Sequence, residues 1–130
     1  MIALVVAVGT GLIWWTSDAR ATESRPASAP VKPVVPAKAV PATLRQLWAV
    51  PSAHTTMPVV AGGVVIAGDG RTVTGHDPVT GQALWTFARD RELCGVSWLY
   101  HYAVAVYPDG RGCGQVSTVD GSTGRRGSTR

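Results

Sequence analysis

The sequence contains no asparagine, one phenylalanine, two lysines against ten arginines, and two cysteines in 130 residues. Without Asn there is no N-x-Ser/Thr glycosylation acceptor, and turns must be made with Asp and Gly. The scarcity of cysteine, with no C-x-x-C spacing, excludes a zinc or thioredoxin-like motif. Neither G-x-G-x-x-G nor a terminal Gly-Lys-Ser/Thr is present, so "GGVVIAGDG" reads as a hairpin and not as a phosphate loop. His54, His76 and His101 stand 22 and 25 residues apart and share no motif with a carboxylate pair, which gives no metal site. The net charge of +4 divides evenly between residues 17–43 and 44–130. Neither part is a strong polyanion binder, and no nucleic-acid partner is expected. The length allows at most one compact domain of modest core.

What is present falls into three parts. Residues 1–16, "MIALVVAVGTGLIWWT", form an uncharged apolar run ending in Trp14 and Trp15, whose indoles favour a membrane interface. The run is expected to be a transmembrane or signal-anchor helix. A cleaved signal peptide, suggested by "ARA" at 19–21, and a buried helix are the alternatives, since 16 residues fall short of the roughly 20 that cross a bilayer. Residues 17–43 carry Pro26, Pro30, Pro33, Pro36 and Pro41 among Ala, Val and Ser, which predicts a disordered, extended linker.

From Leu44 onward no helical period lasts more than two turns, and short apolar runs are broken by Gly and Asp-Gly. Strands are predicted near 63–67, 72–76, 82–87, 94–98, 102–107 and 114–119. Asp69-Gly70 and Asp109-Gly110 supply hairpin turns. This is an all-β pattern of antiparallel meanders. The meanders repeat: Asp77, Thr80 and Gly81 recur 43 positions later as Asp120, Thr123 and Gly124, and Leu47-Trp48 precedes Leu84-Trp85 by 37. A period near 40 with about four short strands per unit is the signature of propeller blades.

The stretch "DPVTGQALW" at 77–85 resembles the quinoprotein-like (PQQ-like) β-propeller repeat, whose blades end in D-x-x-T-G-x-x-L-W. The resemblance covers roughly residues 44–130. It is complete in the first unit and partial in the second, where "DGSTGRRGS" lacks Leu-Trp. "QLWAV" would close a preceding blade. With its apolar leader and Pro-rich stretch, the chain is similar to actinobacterial membrane-anchored members. The resemblance implies a turn role for Asp77, Thr80, Gly81, Asp120, Thr123 and Gly124, and packing between blades for Leu84 and Trp85. Propellers close with four to eight blades, and residues 44–130 supply about two, so a truncated form of a longer protein is expected.

Family chemistry does not carry over. The quinoprotein dehydrogenases hold calcium through carboxylate and amide side chains and place adjacent cysteines beside the cofactor, whereas this chain has no Asn and no adjacent cysteine pair. No catalytic, cofactor-binding or metal residue is assigned, and no cofactor and no enzyme activity are expected. Relatives without quinone chemistry serve as protein-interaction platforms, which implies a binding or scaffolding role with envelope protein partners. A fragment of a secreted propeller enzyme is the alternative.

Cys94 and Cys113, with 18 residues between them, are expected to form a disulfide in an oxidising compartment, free core thiols being the alternative. Strands flanking a common neighbour lie about 9–10 Å apart, beyond the roughly 7 Å limit, so one cysteine is expected in the loop past the central strand. Arg20, Arg25, Lys32 and Lys38 after the apolar run argue for a cytoplasmic flank. Asp18 and Glu23 among them, the Pro-rich stretch and the cysteine pair argue for the opposite, a single-pass membrane protein with its C-terminal domain outside the cell membrane. Arg125, Arg126 and Arg130 form a small basic tail, read as solvated.

Overall fold

The computed structural model describes residues 2–15, 17 and 19–129. Met1, Thr16, Asp18 and Arg130, which the sequence places at the ends of the apolar run, in the linker and in the basic tail, lie outside the described residues.

One helix, α1 (Ile2–Trp15), opens the chain. It is 14 residues long, about 21 Å at 1.5 Å per residue, and no described helix is long and apolar enough to cross a membrane. The expectation of a membrane-crossing helix is thereby reduced to a short apolar helix with exposed Trp14 and Trp15 at its end.

The strands of the described residues form two antiparallel sheets, with residues 26–58 carrying no regular element. The first is ordered β1-β5-β4-β3-β2, from β1 (Thr22–Arg25), β2 (Val59–Ala61), β3 (Val64–Asp69), β4 (Thr72–His76) and β5 (Ala83–Arg89). The second is ordered β6-β7-β8-β9, from β6 (Gly95–Leu99), β7 (Tyr102–Asp109), β8 (Gly112–Asp120) and β9 (Arg126–Thr129). Strands β2 to β5 and β6 to β9 are therefore two consecutive four-stranded meanders, and β1 is an addition to the outer edge of the first.

Period-two alternation decides which residues meet. The first sheet turns Val59, Ala61, Val64, Ile66, Val73, Trp85 and Phe87 to one face. The second answers with Val96, Ala103, Ala105, Tyr107 and Val119, and Leu93 joins them in a single buried cluster. Polar links follow the same joint: the Tyr107 hydroxyl donates to the Arg71 carbonyl at 3.1 Å, and Arg89 reaches the Ser117 hydroxyl at 3.5 Å. Burial pushes the Tyr107 phenol up to about 12, against the opposing pull of the Arg89 charge.

The stretch expected to be an extended linker contributes structure. Thr22–Arg25 pairs with Thr86–Arg89, and the Ala27 and Val31 amides donate to the Thr123 and Ser122 carbonyls, each at 2.9 Å. Ala27 and Val31 also pack against the core. The physical reason is an open β5 edge beside a segment whose prolines begin only at Pro26. Conversely "QLWAV", expected as a closing strand, has no strand assignment.

Candidate functional site

The β4–β5 and β8–β9 connections are the same object built twice. In the first, the Asp77 carboxylate accepts from the Val79 amide at 2.9 Å and the Thr80 amide at 2.8 Å, while the Gly81 amide donates to the Asp77 carbonyl at 2.9 Å. In the second, the Asp120 carboxylate accepts from the Ser122 amide at 2.9 Å and the Thr123 amide at 3.0 Å, and the Gly124 amide donates to the Asp120 carbonyl at 2.7 Å. The Thr80 and Thr123 hydroxyls each accept the amide two residues on, from Gln82 and Arg125, at 3.3 Å. These are Asx turns continued by a Thr turn, and they explain why Asp and Thr stand three residues apart in both copies.

Both carboxylates are held ionised. The Thr80 amide, then the Val79 amide, hold Asp77 below the usual carboxylate range. For Asp120 desolvation is the largest influence and pushes upward, but the Ser122 and Thr123 hydroxyls and amides together outweigh it and leave its pKa lowered. A carboxylate committed to two or more donors in its own turn is a poor proton acceptor for any substrate.

Each turn carries a tryptophan from the preceding unit. The Trp48 indole donates to the Pro78 carbonyl at 3.1 Å, and the Trp85 indole donates to the Gly121 carbonyl at 2.7 Å. Pro78 and Gly121 occupy equivalent places in the two turns. Gly81 (φ 73°) and Gly124 (φ 69°) lie directly beneath the rings: a Cβ there would stand 2.6 Å from Trp48 Cγ and 2.5 Å from Trp85 Cγ. Glycine is thus required twice over, by the left-handed backbone and by the close approach. Trp85 is 2 % exposed. Leu84 packs at the rim of the core. His76 is fixed by the same assembly, since its ring stacks on Trp48 at 5.8 Å and its Nδ1 donates to the Gly81 carbonyl at 2.9 Å.

The structure therefore brings Asp77, Thr80 and Gly81 together with Trp48, and Asp120, Thr123 and Gly124 together with Trp85. Sequence reasoning missed the contact of Trp48 with the first turn, although the 37-residue spacing of the two Leu-Trp pairs was a signal for it. A cavity of about 560 Å³ beside Asp77 is walled by Ser28 to Val35, Gly63, Pro78, Val79 and Leu84, a mostly apolar lining. Among the described residues no group of three His, Cys, Asp or Glu side chains converges to hold a metal. His54 and His101 instead approach single carboxylates, Glu92 at 3.7 Å and Asp120 at 3.6 Å.

Cys94 and Cys113 form a disulfide with Cα atoms 6.0 Å apart. The expectation of one cysteine in a loop past the central strand is corrected on position: Cys94 is the one outside the strands, but it lies just before β6 with its amide donating to the Val106 carbonyl at 2.8 Å, and Cys113 lies within β8, opposite Pro108. The register between β7 and β8 shifts between Tyr107 and Pro108, and such a bulge bends and twists a hairpin locally. Scans against protein-family models, curated proteins and solved structures find nothing that matches this chain.

Proposed function

We propose that the chain is a membrane-anchored, extracytoplasmic module of quinoprotein-like propeller repeats, a partial propeller of about two blades, with a non-enzymatic binding or scaffolding role in the cell envelope. The observation that carries this reading is a face of the second sheet. In the first meander, Val59, Ala61, Val64, Ile66, Val73 and Phe87 are covered by the second sheet and are at most 2 % exposed. The equivalent face of the second meander carries Leu99, Tyr102, Val104, Val106, Val116 and Thr118, aligned by strand register, and these remain half-exposed or exposed. A sheet face this apolar functions by being covered, either by further blades of a longer parent protein or by an envelope partner.

Two properties support a non-catalytic role. The repeated Asp and Thr side chains are consumed by their own turns, and the Trp residues are consumed by docking on them. In this reading α1 supplies the attachment to the membrane, and the disulfide suits the oxidising side of it.

A photoreactive amino acid at Val104 of the full chain, expressed in its native membranes, tests the reading. One discrete crosslinked species is expected, and it is lost when Val106→Asp is added. Absence of any adduct, together with quinone-dependent dye reduction by the purified protein, would instead favour a fragment of a quinoprotein-type enzyme.

A further inference from the structure

At the end of α1 the chain builds a basic pocket that the propeller reading does not use. A cavity of about 390 Å³ is lined by Trp15, Ser17, Arg20, Ala21, Arg89, Asp90, Arg91 and Gln115. The lining groups come from the helix end, the segment after it, the end of β5 and β8. Three arginines and one aspartate thus line one concavity, counted over the described residues.

Each arginine is pre-positioned by a different contact. Arg20 lies over both indoles at the helix end, 5.1 Å from the Trp14 ring and 4.6 Å from the Trp15 ring. Arg91 donates to the Pro108 carbonyl at 3.0 Å. Arg89 is 4 % exposed, lies over the Tyr107 ring at 5.8 Å and reaches Ser117. The Asp90 amide donates to the Ala21 carbonyl at 3.0 Å, which ties the segment after the helix to the end of β5. Holding guanidiniums in place before a ligand arrives lowers the ordering cost of binding, and their planar forks match phosphate oxygens.

We propose that this pocket binds a phosphate-bearing anion, and specifically the phosphodiester headgroup of an anionic phospholipid. The helix end argues for that source. Trp14 and Trp15 are 66 % and 73 % exposed at the end of an uncharged apolar helix, the arrangement by which indoles settle at the headgroup level of a bilayer. A phospholipid whose acyl chains lie beside α1 would present its phosphate at the depth of Arg20, with Arg89 and Arg91 closing from the β5 end and Gln115 able to donate from β8. The headgroup then docks the β domain against the membrane surface. The lipid source rests on the membrane attachment proposed above, whereas the phosphate chemistry of the pocket does not.

The full chain is reconstituted into nanodiscs of phosphatidylcholine alone or with phosphatidylglycerol, and amide hydrogen exchange is followed at residues 19–22 and 89–91. A parallel sample in non-ionic detergent receives inorganic phosphate. Slower exchange at both segments is expected with phosphatidylglycerol and not with phosphatidylcholine alone. The double variant Arg20→Gln/Arg91→Gln should weaken the response at least about tenfold in lipid titration, from roughly 1 kcal/mol per basic residue near an anionic surface. The variant Arg125→Gln/Arg126→Gln removes the same charge from the β8–β9 turn and the start of β9 and should leave the response in place. Equal exchange in both nanodiscs overturns the proposal, as does equal loss in the two double variants. If the chain enters neither nanodisc, the membrane attachment fails by itself and the phosphate sample decides: protection at the same segments sustains a site for a soluble phosphate anion, and none overturns it.

Discussion

Trp85 crosses two contacts at once, and this makes its energetic role measurable by a double-mutant cycle. Its indole lies over Gly75 of β4, where an added Cβ would meet ring atoms Cε2 and Nε1 and stand 2.7 Å from Cζ2, and its N–H donates to the Gly121 carbonyl in the β8–β9 turn at 2.7 Å. Gly75→Ala alone forces the ring aside and should cost about 1–3 kcal/mol as overpacking. Trp85→Leu alone removes the fused ring and the donor to a buried carbonyl, a loss of roughly 2–4 kcal/mol. In the double variant the methyl group added to β4 has no ring to displace and partly fills the space left. The double should therefore cost less than the sum of the singles by at least about 1 kcal/mol, inside the range for residues in contact. Urea denaturation of the full chain in mild detergent, followed by far-ultraviolet circular dichroism, gives the four free energies, with unchanged slopes as the check on two-state behaviour. Costs that add to within about 0.5 kcal/mol would refute the placement of the ring over Gly75.

Reduction of Cys94–Cys113, or Cys94→Ala/Cys113→Ala, should lower stability by about 3 kcal/mol for a loop of this length, read as a fall in Tm of more than roughly 10 °C; an unchanged Tm would contradict the closed bridge. The lowered pKa values of Asp77 and Asp120 contribute stability that is present above the unfolded carboxylate value near about 4 and lost as the pH falls through the folded values. Denaturation midpoints should therefore drop below about pH 4, and Asp120→Asn should lower the plateau near neutrality while flattening that drop. Tyr107 acts at the other end. Its folded pKa is raised, so its contribution of about 2–3 kcal/mol is complete below the unfolded value near about 10 and disappears as the pH rises toward 12, a loss that Tyr107→Phe should not show in alkaline titration.

The two meanders were legible in the sequence because their signals are local. The strands expected near 72–76, 102–107 and 114–119 appear as Thr72–His76, Tyr102–Asp109 and Gly112–Asp120, each an alternating run stopped by Asp and Gly. Strand β2 was hidden in "PVVAGGVVIAG", where Gly62 and Gly63, at φ 59° and 86°, form a turn inside what reads as one apolar run. Strand β1, "TESR", has no apolar alternation; an open neighbouring edge in the folded chain determines it. The cysteine pairing followed from there being only two cysteines, but the place of Cys113 depends on a bulge that no spacing encodes. The basic pocket was invisible for the same reason: Arg20 and Arg91 become neighbours only when β1 folds onto β5.

The indole N–H signals of the five tryptophans offer the most direct test of the repeated docking on which the account turns. Hydrogen exchange of the tryptophan-labelled full chain should leave Trp85, buried and donating to Gly121, as the slowest. Trp48, donating to Pro78 from a half-buried position, should be intermediate, and Trp98, 45 % exposed, should exchange fast. Gly124→Ala should accelerate Trp85 alone and Gly81→Ala should accelerate Trp48 alone. Exchange of Trp85 as fast as that of Trp98 would contradict the docking of one unit on the turn of the next.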